Sequence, residues 1–421
     1  MTIKNIYTYI CLLVFVSFFF LWNVKIINIP DINIISYNFK NISIKFNYLI
    51  FFLIFFIFFN KKNYEHFFQQ KKILILCLFI IVHYLINSVH DSKFQIKNIV
   101  FIVSIPILAF IYCNYRHFLL ENFKKILFIF FIFFIFFSIY ENTIYNTGSC
   151  NVDYFLIEVL KNKLNLTFSN SFFAENSHLA MMMVAVIFSS TFVLTNHKKK
   201  NILFLICLLI SIFISILNFS TTFYVSYFIS IIVLFLFLYK KINIYFYLSS
   251  FLFLIFLSTF FFKDVNCKKK ITDFKVQDII EKKIEKGSKN LTTVIYERSA
   301  IVTLRTLYYR PFGWGLNGMI KANEDFFNNY GSIEFYQISI LNLEDGLNNF
   351  FKIITEFGFF SLIVGYQFIK YLFNLKKINE FNIFVIVLFL TLCIRGAGYF
   401  NGGFIFCIFE FFYFSTIKKQ Q

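Results

Sequence analysis

The sequence predicts an all-α polytopic membrane protein, with about twelve transmembrane helices and a large loop late in the chain. Its 421 residues are 59% hydrophobic and only 15% charged, and the mean hydropathy is +0.70. A water-soluble protein could not bury that much apolar surface in its core. Apolar segments of about 15 to 20 residues recur along the chain, as helices crossing a roughly 30 Å hydrocarbon layer require. The alternating strands of about ten residues that build membrane barrels are not apparent in the sequence.

Twelve apolar segments are candidate crossings. The first of them follows Lys4 and lacks a small-residue cleavage site, which is typical of a retained signal anchor. The candidates are residues 6–24, 46–59, 73–87, 98–113, 126–140, 178–194, 202–217, 223–239, 244–262, 348–369, 381–394 and 399–414.

This order divides the chain into three parts. Residues 1–262 form a first transmembrane bundle of about nine helices. Residues 263–347 form a large loop that contains an amphipathic helix, and residues 348–421 add about three C-terminal transmembrane helices.

The positive charges predict the orientation of the bundle. Lysine and arginine concentrate in the short cytoplasmic loops of membrane proteins, and here most clusters fall on one face. Both termini are therefore predicted to be cytoplasmic, with the long intervals 141–177 and 263–347 on the opposite face. The net charge of +18 then reflects topology rather than nucleic-acid binding. The cytoplasmic clusters are Lys61, Lys62, Lys71, Lys72, Arg116, Lys124, Lys125, Lys198 to Lys200, Lys240, Lys241, Lys370, Lys376, Lys377, Lys418 and Lys419.

Metal and nucleotide motifs are missing from the sequence. The eight cysteines show no CxxC and no Cys/His ligand spacing, and no phosphate-binding glycine loop occurs. We predict no cofactor and no metal. Two cysteines, Cys150 and Cys267, fall in loops on the same predicted face, where a disulfide between them is one option.

Arginine is the sharpest chemical signal. Only five of the 40 lysine and arginine residues are arginines, and four of the five fall on the outer face. The planar guanidinium binds phosphate through two hydrogen bonds and keeps its proton. Arg298 and Arg305 are seven residues apart, which places them on nearly the same face of a helix. Pro311 would end that helix, and Gly313 and Gly315 would form a tight turn around Trp314.

Two of these signals have a structural alternative. The arginines of the loop helix can instead contact lipid headgroups or pair with Glu297. Arg395, in the segment CIRGAGYFNGG, is equally an anchor at the membrane interface or a functional residue.

The segment FFAENSHLA, residues 172–180, lies where the other long interval re-enters the membrane. Glu175 and His178 are three residues apart, so at a helix start they can face one cavity. A carboxylate there can act as a base or orient the imidazole. Helix capping by Asn176 or Ser177 is the alternative interpretation.

The segment GLNNFFKIITEFGFF, residues 346–360, begins the tenth candidate crossing. Lys352 and Glu356 are spaced for an intrahelical ion pair, so mutual neutralisation is the default explanation for two charges in a membrane segment. Asn348 and Asn349 are better candidates for contact with a polar substrate. The isolated polar residues His83, Asn218 and Glu410 are assigned packing or snorkelling roles.

Three blocks in this order, FFAENSHLA, R…R…RPFGWGLNG and NNFFKIITEFGFF, resemble the superfamily of Wzy-type O-antigen polymerases and O-antigen ligases. The layout of helices with a large late loop also matches, so the resemblance covers most of the chain. It implies the GT-C-like membrane fold of lipid-dependent glycosyltransferases. Members act on undecaprenyl-pyrophosphate-linked glycans at the periplasmic face of the bacterial inner membrane.

The resemblance assigns residues one by one. Arg298 matches the arginine that opens the loop helix, and Pro311, Gly313 and Gly315 match the turn that follows it. Asn348, Glu356 and Gly358 match the block that begins the next helix. Ligases usually carry a histidine before that asparagine, and here the residue is Leu347, which favours a polymerase, as does the segment YFNGG.

Together these arguments predict an enzyme that extends lipid-linked repeat units into O-antigen or capsular polysaccharide. The arginines bind the pyrophosphates, and the carboxylate near His178 activates the acceptor hydroxyl. The resemblance also implies a flippase and a chain-length regulator as partners. The predicted catalytic residues are Glu175, His178, Arg298 and Arg305, and the predicted substrate-binding residues are Arg310, Asn348, Asn349 and Arg395.

Three other functions are open. An O-antigen ligase shares the fold and the lipid donor but delivers the glycan to lipid A core. A repeat-unit flippase shares the substrate and performs no chemistry, but it should show symmetry between its halves. A structural membrane scaffold has no need of the arginines.

Overall fold

The computed structural model describes residues 25–28, 32–34, 37–39, 43–45, 61–88, 96–140, 176–196, 202–217, 220–263, 291–330, 348–396, 398–399 and 403–417. The candidate crossings 6–24 and 46–59, and the cysteines Cys150 and Cys267, lie outside these residues. Four short strands form two antiparallel pairs, β1 with β4 and β2 with β3. The strands are β1 (Lys25–Asn28), β2 (Ile32–Ile34), β3 (Tyr37–Phe39) and β4 (Ser43–Lys45).

Helices make up the rest of the regular structure that is described. They are α1 (Lys61–Gln69), α2 (Lys71–Ser88), α3 (Ile96–Tyr140), α4 (Asn176–Asn196), α5 (Ile202–Leu217), α6 (Thr221–Leu238), α7 (Ile244–Lys263), α8 (Leu291–Tyr309), α9 (Met319–Tyr330), α10 (Asn349–Phe357), a 3₁₀ turn (Gly358–Phe360), α11 (Ser361–Asn374), α12 (Glu380–Ile394) and α13 (Phe404–Ile417).

These helices fit the predicted class of a helical membrane protein. By length and composition, three stretches of the described chain can cross a membrane: Ile102–Ile132, Thr221–Leu238 and Asn349–Asn374. The helices α4, α5, α7, α12 and α13 contain shorter apolar segments. The count of twelve crossings and the GT-C-like fold stay predictions.

One predicted loop is wrong. The sequence suggests separate crossings over 98–113 and 126–140, but α3 runs without interruption through both. Its 45 residues span about 67 Å at roughly 1.5 Å per residue, about twice the hydrocarbon thickness. Two of the polar residues between the segments find partners within the helix itself. Asn114 and Asn122 each donate to the carbonyl four residues earlier, at 2.9 and 3.0 Å.

Arg116, at the middle of α3, is neutralised by Glu410 of α13. Its Nε donates to Oε2 and its Nη2 donates to Oε1 of that carboxylate, each at 2.7 Å. The Tyr112 hydroxyl also donates to Glu410, and the Tyr413 ring lies 4.8 Å from the guanidinium carbon. Glu410 is therefore not the isolated polar residue that the sequence suggested. It is the centre of a buried link between α3 and α13.

The core is built around α12. Almost every residue from Phe381 to Leu392 is buried, as expected of a helix that is apolar on all sides. It packs against α4, α6 and α13, so the C-terminal helices share one hydrophobic core with the first bundle. The Thr391 hydroxyl, near the end of α12, donates to the carbonyl of Met181, near the start of α4, at 3.3 Å.

Basic side chains gather at one end of the bundle. Lys124 of α3 lies 3.9 Å from Glu380, the first residue of α12. Lys241 donates to the carbonyl of Leu375, just after α11, at 2.7 Å. The sequence predicts one face for these two lysines, and both contact the same end of the bundle. The end of α12, with Arg395, is the opposite end.

Candidate functional site

Most of the buried charge in the described chain lies on two helices that pack together, α8 and α10. Five Asp, Glu, Lys or Arg side chains are buried in the residues that the structure describes, and four of them are Glu297, Arg298, Lys352 and Glu356. Small polar side chains surround these four. They are Thr293, Ser299, Thr303, Thr306, Asn323, Asn348, Asn349 and Thr355, all buried. We call this group, with the four charged residues, the polar seam.

One face of α8 binds α10 through hydroxyl groups. The Thr303 and Thr355 hydroxyl oxygens are 2.9 Å apart and hydrogen-bonded. Ser299, Thr303 and Thr306 follow at helical spacing, and Thr306 accepts from the Trp314 indole N–H at 3.2 Å. This face therefore ties α10 and the following turn to α8.

A second face of α8 carries the predicted arginines toward α9. Val302, which lies between Arg298 and Arg305 on this face, packs with Met319 and Ala322 of α9. The structure thus confirms that the two arginines share one side of a helix. That side is a helix–helix interface and not an open surface.

Arg298 is fully buried, and its guanidinium carbon lies 5.9 Å from the centre of the Phe327 ring. Burial lowers the pKa of Arg298 to about 10, because the charged form loses water. The side chain is still cationic at neutral pH. A buried guanidinium with this much desolvation attracts an anion more strongly than an exposed one does.

Arg305 and Arg310 have different surroundings. Arg305 Nη2 lies 3.2 Å from Asp325 Oδ2 of α9, so the structure gives it an ion-pair partner that the sequence did not suggest. Arg310 is exposed, and its guanidinium stacks 3.7 Å from the centre of the Trp314 ring. The three arginines of the loop do not converge on one point.

The turn after α8, residues 311–318, binds the break between α10 and α11 through backbone groups. Trp314 N donates to Thr355 O at 3.0 Å, and Gly315 N donates to Glu356 O at 2.9 Å. In the reverse direction, Phe359 N donates to Pro311 O at 2.9 Å. The turn and the 3₁₀ segment therefore complete each other's hydrogen bonds where the helix is interrupted.

Glycine is required where the two segments touch. Gly313 and Gly358 both have positive φ, +82° and +56°. A Cβ on Gly313 would lie 2.3 Å from Glu356 O, and one on Gly358 would lie 1.9 Å from Pro311 O. The glycines therefore allow two backbones to approach within hydrogen-bond distance.

His83 of α2 holds the turn from the other side. Its Nε2 donates to Phe312 O at 2.9 Å. Asn87, one turn later in α2, packs closely on Gly315. A Cβ added to Gly315 would lie 2.6 Å from the Cβ of Asn87. The sequence gave His83 a packing role, and its hydrogen bond to a residue 229 positions away was missed.

The two predicted asparagines have distinct roles. Asn348 caps α10, because its side-chain oxygen accepts from Phe351 N at 2.7 Å. Asn349 is fully buried, and its Oδ1 accepts from Gly398 N at 3.2 Å. Its Nδ2 has no hydrogen-bond partner among the described residues. Asn349 therefore has a buried amide donor available for a ligand.

Glu356 joins four parts of the seam. It accepts from the Tyr399 hydroxyl at 2.7 Å and from the backbone N–H groups of Asn317 and Met319. Its other oxygen lies 3.5 Å from Lys352 Nζ, which confirms the predicted intrahelical pair. Neutral hydrogen-bond donors thus stabilise the Glu356 carboxylate in addition to Lys352. Because Met319 is the first residue of α9, the carboxylate lies at the N-terminus of that helix, where a negative charge is favoured.

Arg395 lies at the edge of the seam. It ends α12, and the preceding carbonyl, of Ile394, accepts from the Tyr296 hydroxyl of α8. The charge of Arg395 also acts on Tyr296, lowering a phenol pKa that burial raises. Ile394 therefore contacts α8, and Gly398 and Tyr399 contact α10.

The proposed base is only partly described. Glu175 lies outside the described residues, and of His178 only the backbone, in the first turn of α4, is described. Because Thr391 binds Met181, that first turn lies at the same end of the bundle as Arg395. The roles of Glu175 and His178 stay predictions.

The arrangement gathers charge at one end of an apolar bundle. A buried guanidinium, a buried ammonium, two buried carboxylates and an amide donor lie on adjoining segments, and no cluster of metal-ligating side chains occurs among the described residues. No family model matches the chain, and no curated protein and no solved structure matches it significantly.

Proposed function

We propose that this protein is a glycosyltransferase that polymerises undecaprenyl-pyrophosphate-linked oligosaccharide repeat units into O-antigen or capsular polysaccharide. The reaction takes place at the periplasmic face of the inner membrane. The observation that carries the proposal is the polar seam, which concentrates two buried cations and two buried carboxylates at one end of an otherwise apolar helical bundle. The three blocks that resemble the polymerase superfamily supply the substrate class, and two of them, the loop helix with its turn and the start of α10, form this seam.

In this reaction a hydroxyl of one lipid-linked repeat unit attacks the anomeric carbon of the glycan on another. A new glycosidic bond forms, the bond from the anomeric carbon to the phosphate oxygen breaks, and lipid pyrophosphate leaves with the bonding electrons. The acceptor proton passes to a base, for which Glu175 with His178 is our candidate. The donor bond supplies the energy, so no nucleotide is needed.

The cations stabilise the leaving group. Arg298 is cationic and buried, so it interacts strongly with the charge that develops on the pyrophosphate. Arg305 contributes when a phosphate oxygen replaces the Asp325 carboxylate, 3.2 Å from its Nη2. Asn349 donates its buried amide to the same substrate. Removing one such contact costs on the order of 3 kcal/mol in the barrier, or about a hundredfold in rate.

The test is a deletion strain whose surface polysaccharide is separated by gel electrophoresis. We expect the ladder to disappear while a single-repeat band survives. Core alone with polymer on the lipid carrier would indicate a ligase, and core alone with unpolymerised lipid-linked units inside would indicate a flippase. An unchanged ladder would refute all three functions.

Complementation with variants then tests the arginine. Arg298→Lys keeps the charge but loses the planar fork, so we expect about a hundredfold less polymer at equal protein level. Lys125→Arg, an exposed basic residue distant in sequence from the seam, is the control and should restore the ladder. Full-length polymer from Arg298→Lys would remove the pyrophosphate role.

A further inference from the structure

An apolar cavity of about 190 Å³ lies beside the polar seam. Its walls come from α2, from the break between α10 and α11, and from α13, and they carry aliphatic and aromatic side chains. The two hydroxyl groups in the lining are already engaged elsewhere. Ser361 donates to Gly358 O at 2.7 Å, and Tyr399 donates to Glu356. The cavity therefore offers an occupant only apolar contacts.

The inner end of the cavity adjoins the seam through three residues. Phe357 directly follows Glu356, and Leu316 belongs to the turn that binds α10. Tyr399 belongs to both sites, because its ring lines the cavity while its hydroxyl binds Glu356. The same ring lies 5.4 Å from Lys352 Nζ. A chain in the cavity would thus end beside the buried charges.

The outer end of the cavity opens to the apolar outside of the bundle. Ile75 of α2 and Ile363 of α11 line it and are 65% and 46% exposed. The α11 wall belongs to the stretch Asn349–Asn374, which can cross a membrane. A ligand can therefore enter sideways from the lipid and does not need to pass through water.

We propose that this cavity binds the pyrophosphate-proximal isoprene unit of the lipid carrier, with the pyrophosphate at the polar seam. This inference rests on the proposed function and adds the place where the carrier chain binds. The volume is slightly larger than the roughly 150 Å³ apolar cavity that holds a benzene molecule, so it accommodates about one five-carbon unit of a single chain.

The test is equilibrium binding of tritiated geranylgeranyl pyrophosphate to the purified full-length chain in detergent. Val364→Trp fills the cavity from α11 at a partly buried lining position. Leu362→Trp adds a similar ring two residues away, at a position that is 66% exposed and outside the lining. We expect Val364→Trp to weaken binding at least about tenfold and Leu362→Trp to leave it within about twofold.

Competitors identify which part of the probe the cavity binds. Geranylgeraniol should compete with the probe in the wild-type protein and in Leu362→Trp but not in Val364→Trp, whereas inorganic pyrophosphate should compete equally in all three. Equal effects of the two tryptophans would overturn the inference, and so would competition by phosphatidic acid at the concentration that geranylgeranyl pyrophosphate requires. Because binding is measured without polymer synthesis, its failure is distinct from an unchanged ladder in the deletion strain, which would refute the function.

Discussion

The substitution Gly313→Ala tests whether the turn after α8 is held to α10 by backbone contacts. At φ of +82°, a residue with a Cβ costs about 1 to 2 kcal/mol. The new Cβ would lie 2.3 Å from Glu356 O, so the turn must move away. That movement breaks the bonds from Trp314 and Gly315, at 3.0 and 2.9 Å, each contributing about 1 kcal/mol. The total is about 3 to 4 kcal/mol against the docked turn.

Amide hydrogen exchange read by mass spectrometry measures this cost directly. Protection of the Trp314 and Gly315 amides should fall by roughly 100- to 1,000-fold in Gly313→Ala, since about 1.4 kcal/mol corresponds to tenfold. The matched control is Gly365→Ala in α11, where an added Cβ meets no atom within 4 Å. Its exchange pattern should stay unchanged, with α11 as stable or slightly more so. Equal protection in Gly313→Ala and the wild type would refute the backbone-docking argument.

Three further predictions concern the buried polar groups. Thr303→Val or Thr355→Val alone should lower the free energy of unfolding by about 1 kcal/mol, and the double variant should cost less than the sum of the two, as denaturant titration in detergent will measure. Arg116→Met should cost about 3 to 5 kcal/mol because it leaves the Glu410 carboxylate buried, whereas Arg116→Met with Glu410→Leu should recover most of that loss in the same titration. The pKa of Arg298 is lowered, so its charge destabilises the fold at every pH below about 10, and this cost declines only above that value. The effect of Arg298→Met on thermal stability should therefore stay constant from pH 6 to 9 in thermal unfolding, and a change across that range would contradict it.

Local sequence patterns were enough to predict most of the described helices. The segments predicted to start at residues 202 and 244 do begin there, because a polar or basic cluster directly precedes a continuous apolar run. The prediction failed at α3, where Asn114, Arg116 and Lys124 suggest a loop between two crossings. Glu410 neutralises Arg116 from 294 residues away, and no local signal reveals such a partner.

The same limit applies to the candidate site. The Lys352–Glu356 pair was predictable, since four residues on one helix face are neighbours. The Tyr399 hydroxyl that binds Glu356 comes from 43 residues away, beyond two further helices, α11 and α12. Asp325, which pairs with Arg305, lies on the next helix of the loop. Charge spacing predicted a shared arginine face, but only the packing of α9 shows that this face is covered.

Eleven of the thirteen glycines lie at or after Gly313, and for two of them the docked turn gives a physical reason. Side chains that join two segments can be replaced by others of similar size, but backbone hydrogen bonds between them require that no Cβ stands in the way. Gly313 and Gly358 meet this condition on opposite sides of one contact. Through it, the helix that carries Arg298 is fixed to the helix that carries Lys352 and Glu356. The geometry of the charged groups therefore depends on residues that have no charge, and altering Gly313 should impair anion binding without removing any cation.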